Sequence, residues 1–197
     1  MFTGIIECLG KVEHAASSGS NISFWISSEI SSQLNVDQSV SHNGICLTVE
    51  TVENGNHKVT CIKETLEKTN AGNWMLGESV NIERSLVLNG RLDGHLVQGH
   101  VDDTGRCISR EDKNGSTEFT FQFDKKHSSL IIEKGSICLN GVSLTLFNIT
   151  GDQFSVAIIP YTLEHTNLSR LVEGSEVNIE FDMVGKYINR INFLNGH

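Results

Sequence analysis

Apolar and polar positions alternate along this chain in short runs, and the runs recur about every 10 residues. Ile22 to Ile26, Cys46 to Val52, Lys58 to Ile62 and Ser79 to Glu83 form one series; Glu118 to Phe123, Ser143 to Ile149, Gln153 to Ile159 and Glu176 to Phe181 form another. Each run is β-rich and bounded by Gly, Asn, Asp or Ser, which predicts an all-β chain of small antiparallel barrels or sandwiches rather than parallel α/β units. Helical patterning is scarce: Ser27 to Leu34 and Asp124 to Ile132 predict a turn or two each. Near the end, Val184, Tyr187, Ile188, Ile191 and Leu194 have helical spacing. They predict an amphipathic terminal helix, which suits equally a cover over a barrel and a self-association surface.

The two series are one series written twice. Asn43-Gly44-Ile45-Cys46-Leu47-Thr48-Val49 returns as Asn140-Gly141-Val142-Ser143-Leu144-Thr145-Leu146, and Thr65-Leu66-Glu67-Lys68-Thr69-Asn70 as Thr162-Leu163-Glu164-His165-Thr166-Asn167. Val80-Asn81-Ile82-Glu83 returns as Val177-Asn178-Ile179-Glu180, and all three recurrences lie 97 positions on. The unit is therefore a duplicated domain of about 90 residues. The openings align less tightly, Gly4-Ile5-Ile6 with Gly99-His100-Val101 at a spacing of 95, so the second copy has gained two residues. The predicted organisation is 1–88, 89–182 and a terminal helix over 183–197, with Asn89-Gly90 as the turn at the boundary. The repeated Thr-Leu-Glu-x-Thr-Asn predicts a brief helical turn after a strand.

Composition narrows the partners. A net charge of −9 over 197 residues argues against nucleic acid or an anionic membrane surface, which need clustered Lys and Arg. No stretch approaches the ~18 apolar residues of a spanning helix, and no basic segment precedes an apolar run at the N-terminus. Cys8, Cys46, Cys61, Cys107 and Cys138 are odd in number and scattered, so neither a disulfide framework nor a structural zinc site follows. The expected address is a reducing cytoplasm.

Met1-Phe2-Thr3-Gly4-Ile5-Ile6, Asn43-Gly44-Ile45-Cys46-Leu47-Thr48, Gly94-His95-Leu96-Val97-Gln98-Gly99-His100-Val101-Asp102 and Gly141-Val142-Ser143-Leu144-Thr145 stand in this order on a duplicated chain. Together they resemble the riboflavin synthase family over residues 1 to about 182. The resemblance implies two tandem six-stranded Greek-key β-barrels, a C-terminal helix and a homotrimer, with each site between barrels of neighbouring subunits. It implies a dismutation in which one 6,7-dimethyl-8-ribityllumazine passes a four-carbon unit to another, giving riboflavin and 5-amino-6-ribitylaminouracil, with no metal or redox cofactor. Lumazine synthase is a further partner it suggests. The rival reading from another class is a noncatalytic lumazine- or flavin-binding antenna protein, similar in fold but lacking the paired Leu-Thr signatures that this chain keeps.

Two identical ligands held in opposed orientation fit two related pockets, and such proximity can supply roughly 7–11 kcal/mol of a bimolecular barrier. Where the copies differ, chemistry is expected: Cys46 against Ser143, Ile5 against His100, Ser41 against Cys138, Lys63 against Pro160, Glu64 against Tyr161. His100 is the expected general acid or base, since imidazole titrates near pH 6.5. Ser143 is the expected hydroxyl nucleophile or proton-relay partner, and Cys46 a thiol on the other ligand, nucleophilic only with local activation because an ordinary thiol has a pKa of about 8.5. The bland alternatives are a buried structural histidine and two small strand residues. Thr48 and Thr145 are expected hydroxyl donors to the pteridine anion. Asp182 matches a family carboxylate. His95 and His100 form a His-x4-His pair without an evident third metal ligand.

By the resemblance, one pocket is lined by Ser41, Cys46, Leu47, Thr48, Thr60, Cys61, Ile62, Lys63, Glu64 and Thr65. The other takes Ser143, Leu144, Thr145, Ile159, Pro160, Tyr161, Thr162, Leu163 and Glu164, with Lys134 approaching and Asn140 standing where the family commonly has Asp. Gly4, Ile5, Ile6, Gly99, His100 and Val101 complete the pair.

Overall fold

Inward-facing Phe119 and Phe121 alternate with half-exposed Glu118 and Thr120 in β9 (Thr117–Gln122), the period-2 pattern that makes a strand with one buried face. The same alternation builds the rest of a computed structural model that describes residues 1–196; His197, the last residue of the expected terminal helix segment, lies outside the described residues. The first copy contains β1 (Cys8–Ser18), β2 (Asn21–Ser27), β3 (Ser39–His42), β4 (Ile45–Thr48), β5 (Thr51–Glu53), β6 (Asn56–Cys61) and β7 (Ser79–Arg84). The second contains β8 (Asp103–Asp112), β9, β10 (Ser136–Leu139), β11 (Val142–Thr150), β12 (Gln153–Ile158) and β13 (Glu176–Phe181).

In the second copy the strands close into a barrel in the order β10-β11-β12-β9-β8-β13, with β9 returning beside β12 in Greek-key fashion. In the first, the sheet runs β4-β3-β7-β1-β2-β6-β5, an open barrel of seven strands rather than the expected closed six. The cause is local. Where β11 is one strand that pairs first with β10 and then with β12, its counterpart breaks at Val49-Glu50 into β4, paired with β3, and β5, paired with β6. The predicted run Cys46 to Val52 is thus two strands. The other predicted runs correspond to β2, β6, β7, β9, β11, β12 and β13, while β1, β3, β8 and β10 were not anticipated.

The helical turns are shorter than predicted, a 3₁₀ turn at Ser31–Gln33 and another at Lys125–Leu130. The repeated Thr-Leu-Glu-x-Thr-Asn forms α1 (Lys63–Lys68) and α2 (Pro160–His165), each followed by a 3₁₀ turn. Thr69 and Thr166 end these helices by donating their hydroxyls to the carbonyls of Thr65 and Thr162, both at 2.7 Å. Each then caps the following turn by accepting from the N–H of Ala71 or Leu168. The terminal helix is α3 (Met183–Leu194), capped by Asp182, which accepts from Val184 N–H at 2.9 Å. No described helix is long and apolar enough to cross a membrane.

Each unit has its own core, Phe24, Trp74 and their neighbours in the first and Phe119, Phe121, Phe123, Phe154 and Phe181 in the second. The junction between them is polar and nearly symmetric. Asn81 N–H donates to Asn43 Oδ1 and Asn178 N–H to Asn140 Oδ1, both at 2.8 Å, within the copies. Across the junction, Asn81 Nδ2 donates to Asn140 O and Asn178 Nδ2 to Asn43 O, again at 2.8 Å. Asn167 N–H reaches Asn81 Oδ1 at 2.8 Å and Asn70 N–H reaches Asn178 Oδ1 at 2.7 Å. Asn43-Gly44 and Asn140-Gly141 are positive-φ hairpin turns that meet head to head: a Cβ on Gly44 would lie 2.8 Å from Gly141 N. All three repeated motifs therefore supply buried asparagines to this junction.

Candidate functional site

The segments before the two barrels cross over. Gly4 O accepts the N–H of Ser143 in the second unit at 2.8 Å, and Gly99 O accepts the N–H of Cys46 in the first at 2.8 Å. Ile6 packs on the second core and Val101 on the first. The approach demands glycine: at φ of +77° and +80°, a Cβ on Gly4 would lie 2.6 Å from Ser143 Cβ, and one on Gly99 2.5 Å from Cys46 Cβ. Phe2, fully buried, pairs with Val97 between the crossing segments, against Cys138 and Cys46.

Two buried carboxylates fasten these segments. Glu83 accepts from Thr3 N–H at 2.6 Å, Thr3 Oγ1 at 2.7 Å and Gly4 N–H at 3.0 Å. Glu180 accepts from the N–H groups of Gln98 at 2.6 Å and of Gly99 and His100 at 2.8 Å. Burial pushes both carboxyls above the usual carboxylate range, while these donors pull the other way. Sequence reasoning did not single out either glutamate, although the repeated Val-Asn-Ile-Glu marked both.

The crossing sorts the expected site residues into two clusters. Around the first barrel lie Cys46 and Ser41, paired across β3 and β4, with exposed Thr48, half-buried Thr60 and the start of α1 at Lys63, Glu64 and Thr65. Gly99, His100 and Val101 reach this cluster from the segment before β8. The Ser41 hydroxyl is buried and has no hydrogen-bond partner among the described residues. Around the second barrel lie Ser143, exposed Thr145 and the start of α2 at Pro160, Tyr161 and Thr162, with Gly4, Ile5 and Ile6 arriving from the N-terminus. Ile62 and Ile159 are exposed at the rims. Serine and cysteine exchange places between copies: Ser41 opposes Cys46, and Cys138 opposes Ser143.

His95, considered above only as a metal ligand, is the histidine bonded to Ser143, with Nδ1···Oγ at 2.6 Å. Burial holds its imidazole below the ordinary value, and the Asp182 charge works against that. A neutral ring with Nδ1 unprotonated accepts the Ser143 proton, and the Asp182 charge favours the imidazolium that results. His100 is exposed and belongs beside Cys46, since it follows Gly99 directly. Among the described residues no group of three or more His, Cys, Asp or Glu could hold a metal ion.

Some expected lining residues face elsewhere. Leu47 and Cys61 are buried in the first core, where burial pushes the Cys61 thiol up to about 12. Leu144 and Leu163 pack against the second core. Asn140 is buried at the junction, where its Oδ1 and carbonyl are engaged, and its φ of +45° serves the hairpin turn. Lys134 is exposed, its ammonium 5.4 Å from the Phe147 ring centre. Glu164 is exposed on α2.

Two crossed barrels with an unlike pair of clusters define a duplicated lumazine-binding protein, and the lumazine binding domain family matches residues 3–85 and 98–182. The chain belongs to the riboflavin synthase family. It is 38% identical to riboflavin synthase of Bacillus subtilis (strain 168) over 191 residues, covering 96% of this chain and 89% of that one. It is 36% identical to riboflavin synthase of Saccharomyces cerevisiae, covering 96% and 85%. Among solved structures, LumP complexed with riboflavin shares the fold with a TM-score of 0.86 at 21% identity, over 92% of this chain and 99% of that one.

Proposed function

We propose that the protein is an enzyme that dismutates two molecules of 6,7-dimethyl-8-ribityllumazine into riboflavin and 5-amino-6-ribitylaminouracil. The observation that carries this is the pairing of like architecture with unlike chemistry. Both clusters are framed by a crossing glycine and a buried glutamate, yet one presents Cys46 and His100 and the other Ser143, His95 and Asp182. Identical ligands in unequal roles need that combination. One molecule must lose a proton from its C7 methyl group and the other must accept a nucleophile at C7. Ser143, activated by His95, is suited to proton relay or addition, and the exposed hydroxyls of Thr48 and Thr145 to bonding the pteridine rings. The two barrels act as domains over 1–88 and 89–182.

LumP, of the same fold, has been solved with 6,7-dimethyl-8-(1'-D-ribityl) lumazine and with flavin mononucleotide, which supports ligands of this class. Both clusters are open on the single chain, and α3 leaves Val184, Ile188, Ile191 and Leu194 exposed, each more than half so. Self-association through α3 into a homotrimer would cover that stripe and close each cluster with a neighbour's. The enzyme acts in the cytoplasm, with lumazine synthase as a candidate associate.

Purified protein incubated with 6,7-dimethyl-8-ribityllumazine alone should form riboflavin and 5-amino-6-ribitylaminouracil in equal amounts, read by chromatography. Tight binding with no riboflavin would refute catalysis and leave the antenna reading.

A further inference from the structure

The segment that carries His100 is held at both ends, and one of its anchors comes from outside the duplicated unit. In the first copy, Glu7 accepts the Arg84 N–H at 2.7 Å and its guanidinium Nε at 2.8 Å, so the last strand of that unit supplies both backbone and cation. In the second copy Asp102 takes the place of Glu7 and accepts the Phe181 N–H at 2.9 Å. Phe181 stands where Arg84 stood and has no charge to offer. The cation comes instead from the terminal helix: Lys186 Nζ lies 2.6 Å from Asp102 Oδ2, with both side chains about three-quarters buried. The start of α3 thus bears on both clusters, the Asp182 charge acting on His95 and Lys186 pairing with Asp102 in the His100 segment.

We propose that Lys186 is a positioning residue, which fixes the Gln98 to Asp102 segment, and with it the Gly99 and His100 N–H groups on Glu180, through its ion pair with Asp102. This rests on the reading of His100 as a pocket residue. Only an ionised carboxylate meets three donors without turning an O–H against one of them. Burial favours the neutral acid, and the Lys186 charge works with the three N–H donors to favour the anion; Cys138, which faces Glu180 from β10, is a thiol that burial keeps protonated. The ion pair is better shielded than most surface pairs, and a displaced catalytic segment is costly to rate. Seating of the terminal helix and alignment of the first pocket are therefore one event.

The test compares Lys186→Met and Lys186→Arg with the wild type, using Lys11→Met as a surface control. Lys186→Met should lower kcat roughly tenfold while moving KM little. The acid limb of its pH–rate profile should move to higher pH, because Glu180 then protonates earlier. Lys186→Arg should restore both. A second readout needs no turnover: the amide NMR shifts of Gly99 and His100 follow Glu180 as it titrates, and their midpoint should rise in Lys186→Met. Unmoved amide midpoints, or an Arg variant as impaired as the Met variant, would overturn the role of Lys186. A wild-type chain that makes no riboflavin, with the amide midpoint still raised in Lys186→Met, would instead refute the functional reading and leave the positioning intact.

Discussion

The two barrels share a backbone plan and differ in what they enclose. At the positions of Leu139 and Phe154 in the second core, the first has His42 and His57, both fully buried. Their Nε2 atoms lie 2.8 Å apart; His57 Nδ1 meets Ser31 Oγ at 2.8 Å and His42 Nδ1 meets Val40 O at 3.1 Å. The clusters differ in the same way, with Cys46 and His100 on one and Ser143, His95 and Asp182 on the other. The difference teaches that the duplication preserved what joins the halves, asparagines, glycines and glutamates, while interior residues such as His42 and His57 and pocket residues such as Cys46 were free to differ. Interior and pocket diverged together, while the junction could not.

The largest test breaks the chemical half of this comparison. If Ser143 and His95 act as one unit, Ser143→Ala and His95→Ala should each slow riboflavin formation by about 10² to 10³-fold. Their double variant should be no slower than the worse single, because removing either disables the relay. Cys46→Ala belongs to the other cluster, so its cost should multiply with theirs. Steady-state rates at saturating substrate decide it. A Ser143→Ala, His95→Ala chain with fully multiplied losses would dissolve the unit.

The second test concerns the interiors. Burial holds the His42 imidazole well below its ordinary value, helped by the His57 charge, and lowers His57 to about 4. A folded-state value below the unfolded one means that the proton binds the unfolded chain more tightly. The stability from these neutral rings is therefore complete above about pH 6.5 and is lost as pH falls toward 4. For His57 alone the loss is about 2 kcal/mol at pH 5. Giving the first barrel the second's residues, His42→Leu with His57→Phe, should flatten this dependence in urea unfolding between pH 7 and 5. An unchanged slope would mean that other groups govern acid sensitivity.

What was legible before the structure follows the same division. The constant spacing of 97 disclosed two like units, and alternation disclosed the strands with buried Phe, Val and Ile. Strands β1 and β3 escaped notice because β1 is mostly exposed beyond Val12 and β3, Ser39–His42, buries polar residues. Correspondence between copies told which residue matches which, but not which barrel each one touches. Ile5 matches His100, yet Gly4 and Gly99 carry them into opposite units, a crossing set by backbone bonds that no side-chain pattern records. His95 had no partner in the first copy, so comparison of the copies could not raise it. The place of Asn140 at the junction, given by its positive φ and the facing Gly141-Gly44 contact, was equally beyond what the pairing of copies could tell.

The smallest expected effect sharpens the comparison at the helices that follow β6 and β12. Helix α1 carries two i,i+4 ion pairs, Lys63–Glu67 at 3.6 Å and Lys68–Glu64 at 3.7 Å, while α2 begins with Pro160 and stacks Tyr161 on His165 at 4.1 Å. The Lys63 pair is well exposed on both sides, so its contribution to stability is at most about 0.5 kcal/mol. If Lys63 were only a helix-surface residue, Lys63→Ala would change nothing else. As a pocket residue its ammonium donates to a ligand's hydroxyls, and losing one such charged donor should weaken riboflavin binding by roughly tenfold. Thermal unfolding and fluorescence titration of the same variant separate these roles: an unmoved midpoint with weakened binding keeps Lys63 in the first pocket. An unmoved midpoint with unchanged binding returns it to the solvent, and the ribityl chain must then find its donors among Ser41, Thr60 and Thr65.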